Sequence, residues 1–406
     1  MENKAAEKKS VSLRQLAQIA PMVRGLLASP TGQPDIPFEP VILKSLTNKQ
    51  AIDFAGSERN AEAATYPTPL VKGQRPPLFV DAMDVNDSPR DIRKRLGDGI
   101  LGYSRQFNMK PDIVCLRNLG ILYVSRPSDE RRGAEATDMP LQNKVALVTG
   151  AAGAIGYGVC CGLLEKGCHL VASDLPGEKL DRFTADLKQT AGDRVIGVPI
   201  DVTDKDSVVR GFESVILTWG GIDIVVVNAG IPLVSYLKDI DLDAFRKLEE
   251  VNVEGTLLTL GEIARHFIAQ GTGGDVIIVS TKNVPSPGAG FGAYSATKAA
   301  CHQLGRIASI ELAQYDVRVN MVAPDGVFAE GKYKSGLWAA VGPDRMRARG
   351  LDEEGLQEYY RNRNLLKIQV TGRHVANAVL FFATRQTPTT GVTIPVDGGL
   401  PDATPR

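Results

Sequence analysis

From residue 144 onward, short wholly apolar runs alternate with amphipathic stretches, and the first run feeds a glycine-rich turn. Few folds accept that combination. Strands are expected at 145–149, 169–173, 195–202, 222–228, 275–281, 317–322 and 393–396, with helices between them that include 180–191, 205–219, 245–269 and 294–315. A run such as Ile224-Val225-Val226-Val227 has no polar face, so the sheet holding it must be covered on both sides. This alternation predicts an α/β doubly wound parallel sheet with right-handed crossovers.

The turn is Thr149-Gly150-Ala151-Ala152-Gly153-Ala154-Ile155-Gly156, set between the first strand and a helix from about residue 155. Glycines there let backbone N–H groups approach a pyrophosphate, and the helix N-terminus meets its negative charge. Asp174 follows Gly150 by 24 residues and closes the second strand. A carboxylate at that place accepts hydrogen bonds from ribose hydroxyls and repels a 2′-phosphate. The turn offers no Arg or Lys to such a phosphate, so NAD is expected over NADP. A solvated acid that simply starts a turn is the plainer alternative for Asp174.

Tyr294 and Lys298 stand four residues apart, which on a helix is one turn and one face. An ammonium beside a phenol favours the phenolate and lowers a pKa that is otherwise about 10. Bringing it near 7 takes ~4 kcal/mol of differential stabilisation and yields a general acid/base at neutral pH. The expected chemistry is proton transfer beside a bound nicotinamide, the work of an NAD-linked oxidoreductase.

Lys+Arg and Asp+Glu balance at 47 each, so no net charge points to nucleic acid or an anionic membrane. No run approaches the roughly 18 apolar residues that span a bilayer, and the charged N-terminus lacks a signal-peptide core. Five cysteines without CxxC spacing suit free thiols in a reducing cytoplasm. At 406 residues, two domains are expected. Residues 1–140 hold short apolar runs between proline- and charge-rich stretches. They also hold one helical pattern, from Pro89 to about Phe107, with Ile92, Leu96, Ile100, Leu101 and Tyr103 roughly on one face. That reads as a smaller α+β N-terminal region ending in a linker at 126–140, ahead of a dinucleotide domain at 141–406.

Together these motifs resemble the short-chain dehydrogenase/reductase family over about residues 144–399, which implies a Rossmann-type fold. Residues 149–156 match its TGxxxGxG turn, with Ala154 where the middle glycine usually stands. Asp201-Val202 lie where the family contacts adenine, Asn228-Ala229-Gly230 match its NAG segment, Asn252 sits at its catalytic asparagine, and Tyr294 and Lys298 fit its YxxxK pair. The resemblance implies cofactor contacts at Thr149, Gly150, Ala152, Gly153, Ala154, Ile155, Gly156, Asp174, Leu175, Asp201, Val202, Asn228, Ala229, Gly230, Asn252, Tyr294, Lys298, Pro324, Asp325 and Val327, and no metal. It also implies that Tyr294 takes the substrate proton, that Lys298 holds the nicotinamide ribose, and that Asn252 anchors a water chain. The helices expected at 245–269 and 294–315 would pack across subunits in a homodimer or homotetramer. The family's serine stands thirteen residues before the tyrosine; here Thr281 holds that place, with Ser280 beside it. A threonine hydroxyl keeps the donor/acceptor needed to polarise a carbonyl, and Ser280 is the alternative.

Thr281-Lys282-Asn283, Ala323-Pro324-Asp325 and residues 358–367 further resemble bifunctional proteins of the rhamnulose-phosphate aldolase/lactaldehyde dehydrogenase type, which fuse a class II (zinc) aldolase to a short-chain dehydrogenase. Thr65-Tyr66-Pro67-Thr68-Pro69, residues 77–80 and Lys110-Pro111-Asp112-Ile113-Val114 resemble part of the aldolase half. No histidine precedes His169, so that region cannot build a histidine zinc site and reads as a truncated remnant kept for packing, assembly or covering the active site.

The insertion at 326–366 reads as a lid over the cofactor site. Its basic residues, Lys332, Lys334, Arg345, Arg347, Arg349, Arg361 and Arg363, could receive a phosphate or carboxylate, but acids interleave with them and a solvated surface is preferred. Tyr333 and Trp338 either wall the pocket or pack the lid. The favoured function is NAD-dependent hydride transfer to or from a small secondary alcohol, sugar or hydroxyaldehyde. An epimerase with tightly held NAD, and a non-catalytic NAD-binding sensor or scaffold, keep the same residues.

Overall fold

The computed structural model describes residues 2–62, 67, 76–81, 87–125 and 139–401. The chain divides into two compact units, one of Met1–Ala136, Phe212–Ile222 and Arg265–Gly273, the other of Thr137–Gly211, Asp223–Ala264 and Gly274–Arg406. Most of the expected linker, 126–138, lies outside the described residues, as do Thr65, Tyr66, Thr68 and Pro69 of the aldolase-like segment.

The first unit holds α1 (Glu2–Leu27), β1 (Ser29–Gln33), β2 (Ile36–Glu39), β3 (Ile42–Leu46), α2 (Lys49–Ala55), β4 (Leu78–Val80), α3 (Pro89–Phe107), β5 (Ile113–Leu116) and β6 (Gly120–Ser125). Its four-stranded sheet runs β3-β6-β5-β4, with only the β4–β5 pair parallel. Leu16, Ile19, Val23 and Leu27 of α1 share a core with Ile92, Leu96 and Ile100 of α3. Ser88 and Asp91 close a capping box at the start of α3, with Pro89 in its first turn, where a missing N–H costs nothing. Leu101, expected on the inner face, is 50% exposed, because one residue past Ile100 the helix has turned by about 100°. The buried Arg24 is satisfied by Val41 O at 2.7 Å and Gln270 Oε1 at 3.1 Å. No helix is expected over α1 from the sequence, and this is the largest departure in the unit.

The second unit is the doubly wound sheet. Its strands are β7 (Val145–Val148), β8 (His169–Asp174), β9 (Val195–Pro199), β10 (Ile224–Val227), β11 (Gly274–Val279) and β12 (Val317–Pro324), then β13 (Ala329–Glu330) and β14 (Tyr333–Lys334), which form a separate small hairpin, and β15 (Thr393–Val396). The helices are α4 (Ala154–Glu165), α5 (Glu178–Ala191), α6 (Lys205–Trp219), α7 (Leu242–Glu249), α8 (Gly255–Gln270), α9 (Gly292–Leu312), α10 (Gly336–Arg349), α11 (Glu353–Arg363) and α12 (Gly372–Ala383), with the far parts of α6 and α8 counted in the first unit. The strand order is β15-β12-β11-β10-β7-β8-β9 and every pair is parallel. All residues of β7, β10 and β11 are buried, as runs without a polar face require. The order reverses between β7 and β10, which opens the crevice at their carboxyl ends. This is the Rossmann-type fold expected.

Two details place the site. Gly150 has φ +59, and a Cβ there would lie 2.8 Å from Ala229 Cα. A Cβ on Gly158 would lie 2.3 Å from the Gly372 carbonyl carbon, so only glycine lets α4 pass this close to α12. The expected helix at 245–269 is two helices joined by a π turn at Glu250–Glu254, which carries Asn252. The strand expected at 195–202 ends at Pro199, since the Asp201 carboxylate takes the Thr203 N–H and turns the chain. All five cysteines are free. Among the described residues, no helix is long and apolar enough to cross a membrane.

Candidate active site

The glycine turn is tied across the switch point. Thr149 Oγ1 accepts the N–H groups of Asn228 and Ala229 at 3.0 and 3.1 Å, and Asn228 Nδ2 donates to the carbonyls of Thr149 and Gly150 at 3.1 and 2.8 Å. Gly153 starts α4 with no side chain capping it, and a Cβ there would meet nothing within 4 Å. Open space in front of uncapped first-turn N–H groups fits a pyrophosphate. A cleft of about 1170 Å³ begins here and reaches Tyr294.

All the expected cofactor residues line this cleft except Thr149, Ala152 and Asn252. Thr149 is buried, its hydroxyl spent on the Asn228–Ala229 backbone. Ala152 turns its N–H to Asp174 Oδ2 at 3.0 Å. Asp174 Oδ1 accepts from Leu175 N–H at 2.9 Å, and Lys179 Nζ stands 3.7 Å from Oδ2. Lys179 also lines the cleft and is absent from the sequence expectation, which sought cations only within the glycine turn. Its place five residues after Asp174, at the start of a helix, was the available signal.

β11 delivers Ser280 and Thr281 at its carboxyl end, facing α9. The Thr281 hydroxyl accepts the Asn283 N–H at 3.3 Å and stands close enough to the Tyr294 phenol to pull its pKa down. Ser280 Oγ lies 3.1 Å from His302 Nδ1, and His302 Nε2 lies 3.4 Å from Thr393 Oγ1. His302 continues the 294–298 spacing by one more turn and holds Ser280, a role the sequence did not suggest. Ser280 is thus turned to His302, while Thr281 is the hydroxyl that acts on the tyrosine's pKa.

The electrostatics run against the sequence expectation. Tyr294 and Lys298 are both buried, and burial raises the phenol's pKa and lowers that of the ammonium, with the nearby Thr281 hydroxyl only partly offsetting the first. Lys298 Nζ donates to Val279 O at 3.2 Å, so its nearest partner is a backbone carbonyl. A shared helix face brings the two side chains close but does not decide where the ammonium points.

Asn252 is a brace in this arrangement. Its Oδ1 accepts Ile231 N–H at 2.9 Å, and its Nδ2 donates to Ile231 O at 3.0 Å and Thr297 Oγ1 at 3.1 Å. Both amide protons are used within the protein. It fixes the segment after Gly230 against α9.

The insertion splits in two. Tyr333 packs: its hydroxyl bonds Asp186 and its ring lies 4.4 Å from Tyr157 and 5.0 Å from Phe183. Trp338 lines the cleft and stacks on Phe328 with ring centroids 4.4 Å apart. Arg347 and Arg361 form exposed ion pairs with Asp344 and Glu358, as a solvated surface would have them. Arg345, Arg349 and Arg363 line the cleft instead.

A parallel sheet reversing between β7 and β10, with an uncapped glycine turn at one end of its crevice and a buried tyrosine at the other, belongs to the Rossmann-fold dehydrogenases and reductases. Residues 144–337 match the short chain dehydrogenase family, and the chain belongs to that family. It is 34% identical over 265 residues to an uncharacterized oxidoreductase, YuxG, of Bacillus subtilis, a match covering 65% of this chain and 38% of that one. It thus spans well under half the length of that relative. It is 31% identical to dehydrogenase/reductase SDR family member 4 of Pongo abelii, covering 64% of this chain and 89% of the relative. Among solved structures, sorbitol-6-phosphate 2-dehydrogenase of Erwinia amylovora is 26% identical with a TM-score of 0.58, covering 63% of this chain and 98% of that one.

Proposed function

We propose that the chain is an NAD-dependent dehydrogenase acting on a secondary alcohol, sugar or hydroxyaldehyde, or running the reverse reduction. The observation that carries this reading is that Tyr294, Thr281 and Lys298 line the same cleft that begins at the open glycine turn. A bound oxidised nicotinamide supplies the hydride acceptor and a cationic ring. Tyr294, as phenolate, takes the proton from the substrate hydroxyl while the hydride leaves the same carbon. Thr281 donates a hydrogen bond to the oxygen as it becomes a carbonyl. Lys298 holds positive charge at the buried end of the cleft, and Asn252 keeps the wall behind Gly230 in register. A screen of polyols, deoxy sugars and hydroxyaldehydes, read by reduced-nicotinamide absorbance, tests this. NAD binding with no turnover of any of them would count against it.

NAD is preferred over NADP on the strength of Asp174, whose carboxylate lines the cleft and would repel a 2′-phosphate. Asp174→Ser leaves Lys179 without its partner, so the preference should swing toward NADP by about tenfold or more. A wild-type chain that already favours NADP in steady-state kinetics contradicts this assignment.

A homodimer or homotetramer is proposed on exposed apolar side chains: Leu257 on α8 and Ile307 and Ile310 on α9, the last 74% exposed. A monomeric mass by light scattering at micromolar concentration would rule it out. The likeness of residues 1–140 to a class II aldolase is carried by residues 65–69, 77–80 and 110–114, and with no histidine before His169 it brings no zinc chemistry.

A further inference from the structure

The cleft beyond Tyr294 is lined by three guanidinium groups whose surroundings differ from those of their outward-facing neighbours. Arg345 Cζ lies 4.2 Å from the centroid of Phe291, and Phe291 lies 6.0 Å from the Tyr294 ring. Arg349 lies 4.8 Å over Tyr359, and Arg363 lies 4.1 Å over Tyr360. Among the described residues, the lining carboxylate at this end is Asp325, and it pairs with Arg363. The other lining acids, Asp174 and Asp201, sit by the ends of β8 and β9.

The contrast along two helices is informative. On α10 and α11 the outward Arg347 and Arg361 each have an acid three residues earlier as partner. Arg345 and Arg349, four apart and so on the same face of α10, have no ion-pair partner among the described residues. The Nε atoms of Arg345 and Arg363 are buried with no hydrogen-bond acceptor. A buried, unmet donor on a charged group is costly, and three like charges in one pocket repel. The charges act on one another here: Arg349 and Arg363 add to the burial that lowers the Arg345 pKa. An oxyanion entering the pocket would remove both costs, and a guanidinium fork matches a carboxylate or phosphate in two bonds. The uncapped N-terminus of α4 would take the cofactor pyrophosphate, leaving this pocket to another anion.

We propose that Arg345, Arg349 and Arg363 form an oxyanion subsite for the substrate. The compound whose hydroxyl meets Tyr294 then carries a phosphate monoester or a carboxylate several bonds from the reacting carbon. This rests on the dehydrogenase reading above.

The test uses the full chain saturated with NADH, so that the pyrophosphate site is filled, and titrates inorganic phosphate by calorimetry. Phosphate should bind the wild type, and Arg345→Gln and Arg349→Gln should each weaken it by about tenfold. Arg361→Gln, on the outer face, is the control and should leave it as it is. Circular dichroism melts confirm that each variant is folded. Phosphate that does not bind the wild type, or that binds the wild type and every variant equally, overturns the proposal. So does a parallel loss of NADH affinity, which would assign the arginines to the cofactor.

The second arm compares a polyol phosphate, the matching sugar acid and the neutral polyol. The kcat/KM ratio of the better anion to the neutral compound should fall about tenfold in Arg345→Gln, and which anion is better identifies the group. If the neutral polyol is oxidised as well as either anion and the ratio does not move, the subsite is wrong while the dehydrogenase reading stands. If phosphate binding follows the arginines but nothing is oxidised, the subsite stands and the dehydrogenase reading falls.

Discussion

Tyr294→Phe is expected to bind NADH about as well as the wild type and to lose turnover by about 10³-fold, or ~4 kcal/mol of transition-state stabilisation. The phenol is buried and lies beside the Thr281 hydroxyl, so removing one oxygen leaves the ring's packing against Phe291 intact and deletes only the proton acceptor. Burial holds its pKa above the ordinary tyrosine value before cofactor binds. A phenolate is therefore costly in the free protein, and the cationic nicotinamide ring of the oxidised cofactor is what would make it affordable. It follows that kcat/KM for oxidation should rise with pH, because the reactive form is the deprotonated one. Tyr294→Phe should abolish that rise along with the rate. Thr281→Ala should also lose activity, whereas Ser280→Ala, whose hydroxyl faces His302, should lose little. Near-normal turnover in Tyr294→Phe would remove the general base from the mechanism.

The sheet was readable because each central strand is an unbroken apolar run and each covering helix has its own periodicity; neither depends on distant residues. The glycine turn and the 294–298 pair were readable for the same reason, being local spacings. α1 was hidden by Pro21 within it and by the charged residues of its first half, although Leu16, Ile19, Val23 and Leu27 do make a stripe. The state of Tyr294 was not readable, since it is set by burial and by Val279 O, which takes the Lys298 ammonium. Nor were the bonds of Asn252, whose partners lie 21 and 45 residues away. The insertion lies between these cases. Its mixed charges look like one solvated surface until they are sorted by helix face: residues 344 and 347 pair with each other, while 345 and 349 fall together on another face.

The largest loss of stability is expected far from the cleft, at Arg385. Its Nε donates to both oxygens of Asp275 at 3.0 Å, its Nη1 to Asp316 at 2.9 Å, and its Nη2 to the carbonyls of Gly274 and Asp316 at 3.2 Å each. Both Arg385 and Asp275 side chains are only 4% exposed. The group ties the second residue past α12 to the starts of β11 and β12, and β11 is the strand whose other end presents Ser280 and Thr281. Arg385→Met strands a carboxylate in the interior with Lys144 at 3.9 Å and the more weakly acting Arg318 as cations beside it, so a loss of about 3–5 kcal/mol in urea unfolding is expected. Burial already pushes the Asp275 carboxyl up and Arg385 pulls it back. Without the guanidinium the folded-state pKa rises further above the unfolded value of about 3.9. A group shifted that way favours the fold below its unfolded pKa and loses that contribution as pH climbs through the folded one. The deficit of Arg385→Met should therefore shrink as pH falls toward 4, the region of the unfolded carboxyl pKa. Adding Asp275→Asn should recover much of it at neutral pH, because the uncompensated charge is the main cost. A deficit that is the same at every pH, and that Asp275→Asn does not relieve, would mean the arginine acts through packing and its carbonyl bonds instead of through the ion pair.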